Sequence, residues 1–309
     1  MDSGDRITVE TYTGFYLYDQ LDQTPADFWT PELKEICRSL GNDRKVGPGP
    51  HLLTGPIYIR DAVPGDVLEV RLEDITPSRS IGFNVMNPGK GALPQQFDQP
   101  AVRFIELDLP NGKAEFPSNS GIYVPLQPFF GILGVATETS INSVPPGEYG
   151  GNMDNRHLLA GSRLFLPIVQ PGALFSIGDG HSAQGDGEVN LTAIETSMNG
   201  TIQLNVYKGC SALPLPFAET PTHWVTMGFA PTLDAAFEQA LQKMLLLLEQ
   251  FLAMSAEEAY VLCSLAVHFH ITQAVNVPSK GVHGLLPKAI LPRSPSYNGE
   301  ITMPLLSKL

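Results

Sequence analysis

Eleven residues, Gly178-Asp179-Gly180-His181-Ser182-Ala183-Gln184-Gly185-Asp186-Gly187-Glu188, place three carboxylates and one imidazole among four glycines. Glycine lets a backbone turn sharply or lets a ligand approach it. Carboxylate and imidazole together are the ligand types that suit zinc, and carboxylate-rich sets also suit manganese or calcium. Residues two apart on a strand share a face, so Asp179 and His181 are expected together, as are Asp186 and Glu188. A solvated Gly-rich loop is the plain reading. Against it, the segment is pinned between the apolar run Leu174-Phe175-Ser176-Ile177 and Val189, and a loop held that way is more often a site than a tether.

Two further segments offer ligand types. Gly150-Gly151-Asn152-Met153-Asp154-Asn155 sets one carboxylate, Asp154, behind a glycine pair, and His51 sits in the rigid stretch Gly47-Pro48-Gly49-Pro50-His51. Alone, the first reads as a turn and the second as a surface histidine. His268 and His270 alternate on an expected strand and could bind metal, although a structural role is the simpler account.

These residues need a scaffold. The 29 glycines and 27 prolines suit short strands joined by turns. Tyr58-Ile59 and Val67 to Leu72 flank Val63-Pro64-Gly65-Asp66 and read as a hairpin. Further strands are expected at 101–109, 121–124, 163–169, 173–177, 189–195, 201–206 and 269–275. Residues 55–75 and 163–181 echo each other about Pro64-Gly65 and Pro171-Gly172, which suggests a duplicated β-unit. Leu233 to Met254 reads as a buried helix. A second helix should follow Ser255, which has capping-box spacing to Glu258. Lys280 to Pro287 reads as a Gly/Pro loop. The expected class is α+β with β dominant: sandwich- or barrel-like units with possible internal duplication, plus C-terminal helices. Residues 1–140 would form an N-terminal β-rich unit. Residues 141–309 would form a second unit carrying the metal-site motifs and the helical segment, the alternative being one intertwined domain.

A net charge of −13 argues against nucleic acid and an anionic membrane surface as partners. Cys37, Cys210 and Cys263 form no disulfide framework, which points to a reducing compartment, and the acidic N-terminus shows no signal peptide. A cytoplasmic location is expected. Leu-rich buried helices make a homo-oligomer the expected assembly.

Three stretches together resemble the acetamidase/formamidase family. They are Thr54-Gly55-Pro56-Ile57-Tyr58 with Pro64-Gly65-Asp66, then Gly150-Gly151-Asn152-Met153-Asp154, then Gly178 to Glu188 running on to Thr192-Ala193-Ile194-Glu195. Lys280-Gly281-Val282-His283 and Leu286-Pro287 also fit. The resemblance covers roughly residues 45–290. It departs at Ser182, where relatives often have Ala, at Asn190-Leu191, and at His268, where many have Asp. It implies a β-rich fold, a divalent metal site and hydrolysis of short aliphatic amides. Asp154, Asp179, His181, Gln184, Asp186 and Glu188 match its functional motifs. The expected arrangement has Asp154, Asp179 and His181 as metal ligands, with His51 and His283 as further candidates. Zinc is the expected metal and calcium the alternative. Glu188 or Asp186 would act as general base, and Gln184 would hold the substrate amide or the developing oxyanion. Other amidase designs leave no trace: there is no Gly-Gly-Ser-Ser stretch, and Cys210, after Lys208-Gly209, has no supporting triad. The competing expectations are a metal hydrolase of a cyclic amide, ester or lactone, and a β-domain that calcium merely staples.

Overall fold

Alternation along the strands decides the layers. Leu68, Val70 and Leu72 face one way and Val67 the other, so a single strand feeds two cores. The computed structural model describes residues 1–15, 17–18, 24–44, 48–209 and 212–291, with 41–44 as backbone only. Gly47, Cys210 and the end of the second expected unit, 292–309, lie outside the described residues.

The first eight strands are β1 (Arg6–Thr11), β2 (Leu53–Ile57), β3 (Val67–Pro77), β4 (Ile81–Met86), β5 (Ala101–Asp108), β6 (Lys113–Glu115), β7 (Tyr123–Pro125) and β8 (Phe129–Gly134). The next eight are β9 (Gly150–Asn152), β10 (Arg163–Pro167), β11 (Phe175–His181), β12 (Met198–Tyr207), β13 (Phe217–Glu219), β14 (His223–Ala230), β15 (His268–Gln273) and β16 (Lys280–Pro287). The helices are α1 (Pro31–Arg44), α2 (Leu233–Leu252) and α3 (Ala256–Ala266). The fold is a β-dominant α+β arrangement.

An eight-stranded sheet runs β1-β12-β3-β10-β13-β14-β16-β15. A four-stranded sheet runs β2-β11-β8-β9, and another runs β4-β5-β6-β7. The pairings between these strands are antiparallel. The large sheet draws on both halves of the chain. One of its faces meets the second sheet in the main core, with Val70, Leu164 and Leu204 against Phe130, Phe175 and Ile177. Its other face is covered by α2 and α3, where Phe165, Phe217 and Trp224 pack on Met244, Leu248 and Phe251. The expected helices form. The Ser255 side chain accepts from the Glu258 amide, and Glu258 caps the Ser255 amide in return. No described helix is long and apolar enough to cross a membrane.

Three expectations are corrected. The chain about Pro64-Gly65 is a corner and not a hairpin: β2 lies in the second sheet and β3 in the large one. The chain about Pro171-Gly172 makes the reverse crossing from β10 to β11, and the two corners pair with each other, β2 with β11 and β3 with β10. A Pro-Gly turn between apolar runs marks a reversal without saying which sheet the next strand joins. Residues 189–195 form no strand; only Glu195 makes bridges, to Phe83 and His181. Lys280 to Pro287, expected as a loop, is strand β16, hydrogen-bonded between β14 and β15. Its glycines are there for close packing: a Cβ at Gly284 would stand 2.7 Å from the Phe269 ring.

Candidate active site

Four chain segments bring ionisable groups to one buried point. Asp179 and His181 end β11, Asp154 follows β9, Glu188 leaves the Gly-rich segment, and Glu195 enters on its bridge between β4 and β11. All five are at least nine-tenths buried. His181 Nε2 stands 3.2 Å from Glu195 Oε1 and 3.5 Å from Asp179 Oδ2, and His181 Nδ1 is 3.9 Å from Asp154 Oδ1. Two overlapping triads result, Asp154–His181–Glu188 and Asp179–His181–Glu195, each with its ligand-type atoms within 4.8 Å of one another.

The backbone is bent to achieve this. Asp154, Asp179 and Glu188 have φ of 50°, 58° and 46°. Left-handed backbone is uncommon for non-glycine residues and costly for Glu, so its presence at three members of one cluster marks a strained site. Gly131 on β8 leaves the room. A Cβ there would collide with Asp154 Oδ1 and stand 2.7 Å from Asp179 Oδ2 and 3.1 Å from His181 Cε1.

Gln184 orients the imidazole. Its Nε2 donates to the Asp154 carbonyl at 2.8 Å, which turns its Oε1 toward His181 Nδ1 at 2.9 Å. Nδ1–H therefore donates to Gln184, and Nε2 is left to face the carboxylates. Asn276 holds Asp154 Oδ2 through its Nδ2. His51 Nδ1 meets Ser143 Oγ at 2.7 Å, and its Nε2 lies 3.9 Å from Asp179 Oδ2.

Burial disfavours every charge here. It raises Asp154 to about 6, with His181 pulling down and Asp179 pushing up. It raises Glu195 to about 7 against the pull of His181. Glu188 is driven well above the ordinary carboxylate range by burial and then by Asp154. For Asp179 burial acts upward, but His181 and His51 outweigh it and hold the carboxyl low. For His181 burial acts downward, but Glu195 and Asp179 outweigh it and lift the imidazole well above its usual value.

The donor set fits a divalent ion. Asp154 Oδ1, His181 Nε2 and Glu188 Oε2 are buried and have no hydrogen-bond partner among the described residues. Orphaned buried acceptors are costly unless something binds them. Asp154 and Glu188 border a pocket of about 230 Å³ lined also by His51, Asp179, Glu195, Leu191, Asn152 and Asn276.

Of the expected residues, Asp154, Asp179, His181 and Glu188 converge, His51 stands at the rim, and Gln184 supports from behind. Asp186 is not brought in. It is exposed and pairs with His270 at 3.0 Å and Arg156 at 3.7 Å. The shared-face expectation for Asp186 and Glu188 fails because residues 185–188 form a turn, with Gly187 at φ 92°. Glu195, Asn276 and Gly131 were not expected as site residues.

A buried imidazole–carboxylate centre within an antiparallel β-sandwich defines the class: a β-dominant α+β protein whose buried triads could hold a metal. The sequence profile of the acetamidase/formamidase family matches residues 48–143 and 136–293, and the chain belongs to that family. It is 30% identical over 244 residues to a Schizosaccharomyces pombe protein described as a candidate formamidase, a match covering 61% of this chain and 60% of that one. The crystal structure of an acetamidase from Bacillus halodurans is 32% identical and superimposes with a TM-score of 0.78, over 93% of this chain and 90% of that one. That of an acetamidase from Yersinia enterocolitica is 29% identical with a TM-score of 0.78, over 95% and 86%.

Proposed function

We propose that this chain is a zinc-dependent amidase that hydrolyses small linear amides of the formamide and acetamide type to a carboxylate and ammonia. One observation carries the reading: three buried ligand-type groups, Asp154, His181 and Glu188, bring their ligand atoms within 4.8 Å of one another next to a pocket of about 230 Å³ that Asp154 and Glu188 line. Family membership and the acetamidase neighbours support the amide as substrate.

Asp154, Asp179 and His181 would hold the ion, with Glu195 beside them. A bound zinc supplies Lewis acidity toward the amide carbonyl and lowers the pKa of water from about 15.7 toward 7. The chain's own groups do the rest. Gln184 keeps His181 Nδ1 protonated and so presents Nε2 as a donor lone pair. Glu188, whose carboxyl is pushed upward by burial and by Asp154, takes a proton from the attacking water and returns it to the departing amine. Gln184 is a positioning residue, since both ends of its amide are engaged within the protein. The pocket is small and walled by Val85, Val144 and Leu191, which suits a substrate of a few heavy atoms.

Calcium is the less favoured ion, because His181 stands at the centre of both triads and calcium takes oxygen ligands. Homo-oligomerisation accords with the solvent-facing Val261 and Leu265 on α3, and light scattering reports it directly.

The test is ammonia release from formamide, acetamide and propionamide before and after chelation, with elemental analysis of the protein. Chelator-sensitive release together with bound zinc is expected, as is loss of both in His181→Ala. Turnover in metal-free protein, or in His181→Ala, would refute the assignment.

A further inference from the structure

On the far side of the Gly-rich turn, Asp186 meets a group of histidines that the amidase reading does not use. Nitrogens of His157 and His283 and a carboxylate oxygen of Asp186 all lie within 4.8 Å of one another. The His157 and His283 rings are 4.9 Å apart edge to face, and His270 stacks on His283 at 5.5 Å. His283 is fully buried on β16, and its Nε2 has no hydrogen-bond partner among the described residues. Its Nδ1 is 2.7 Å from Thr272 Oγ1, the arrangement that fixes a ligating histidine by its second nitrogen. His270 Nδ1, 3.0 Å from Asp186 Oδ2, would orient the carboxylate in the same way.

We propose that His157, Asp186 and His283 form a second divalent-metal site, suited to zinc and separate from the Asp154–His181 centre. Two imidazoles and one carboxylate are zinc ligand types, and a fourth position would be left to water. Ligand atoms on a tetrahedral zinc stand about 3.4 Å apart with bonds of about 2.1 Å. The present spacing closes by small rotations of His157 and Asp186, neither of which is fully buried. Arg156, 3.7 Å from Asp186, is the competing cation, and its guanidinium also has Gln127 as a partner.

The site has a consequence for the reaction centre. Asp186 and Glu188 are joined through Gly187, whose amide and carbonyl are bonded to Thr272 and Ala274. A metal on Asp186 would pin this turn to β16 and to the segment carrying His157, and so hold Glu188 in its left-handed conformation. The proposal does not depend on the amidase reading.

Zinc titration of the chelated full-length protein, followed by elemental analysis after desalting, tests it. Wild type is expected to hold two equivalents. His157→Ala and Asp186→Asn should each hold one, and Asp154→Asn should also hold one, with circular dichroism confirming that each variant is folded. Two equivalents retained in His157→Ala would overturn the proposal. So would a single equivalent in wild type that Asp154→Asn removes and His157→Ala does not. A single equivalent removed by His157→Ala and kept in Asp154→Asn would sustain this site and sink the first.

Discussion

Gly131 shows how a residue without chemistry can decide where chemistry happens. Its backbone is ordinary strand, so space alone excludes a side chain. Gly131→Ala would push a methyl between Asp154, Asp179 and His181. Loss of roughly 10–100-fold in metal affinity is expected, the scale seen when the surroundings of a metal ligand are disturbed, with activity falling in parallel. Zinc affinity and kcat/KM measured together check this; wild-type values for both would show that the three side chains can spread without penalty. The cluster was partly legible in the sequence. Asp154, Asp179, His181 and Glu188 could be picked out because each is a ligand type among glycines, and glycines bracket bent backbone. Glu195 was not: the family resemblance reaches its Thr-Ala-Ile-Glu run, but no glycine or second ligand type marks it there, and its backbone bridges to Phe83 and His181 carry it inward. Asn276 acts across 122 residues on Asp154, a pairing that no local pattern encodes. Asp186 misled because spacing of two implies a shared face only on a strand.

Elements of the large sheet are tied together by one half-buried cation. Arg163 on β10 reaches Glu69 on β3 at 3.0 Å and also Glu219 on β13, so it spans three neighbouring strands. Glu69 is fully buried and also accepts from Asn205 and Tyr207. Arg163→Met removes the charge while keeping much of the bulk. Stranding a buried carboxylate costs about 3–5 kcal/mol, and urea denaturation should show a loss of that order. A loss under about 1 kcal/mol would mean that Arg71, 3.0 Å from Glu69, suffices alone. The strands and helices themselves were readable where period and capping spoke, as at Val67 to Leu72 and Ser255 to Glu258. The sheet each strand joins was not readable. β2 and β3 flank a Pro-Gly turn yet lie in different sheets, because that choice is made by burial against β11 and β10. β16 was missed because Gly281 and Gly284 resemble breakers, when they are spaces for Thr272 and Phe269.

For the molecule as a whole, five ionisable groups in one buried cluster make stability a function of pH and metal together. Asp154 and Glu195 have folded-state values raised to about 6 and about 7. A carboxyl raised on folding binds its proton more tightly in the native state, so its contribution is greatest at low pH and is lost as pH rises through the folded value. His181 is raised as well, and its contribution has the same direction: present below the ordinary histidine value and lost as pH climbs through the higher folded one. Asp179 is lowered and acts oppositely, but only below the ordinary carboxylate range. The lowered His157 and His283 add stability as pH climbs through the ordinary histidine value, so it is above about pH 7 that the metal-free protein should lose stability as pH rises. Zinc reverses this, because it takes the place of protons on the same atoms and binds more tightly once they leave. At a zinc concentration about 100 times Kd the gain is about 2.7 kcal/mol, or roughly 5 °C in Tm for a chain of this size. Calorimetric scans of chelated and zinc-loaded protein should give Tm curves that diverge from pH 5 to pH 8, the zinc-loaded one lying higher at the alkaline end. Parallel curves would mean that the buried carboxylates and His181 keep their protons with zinc present, and that the ion binds elsewhere.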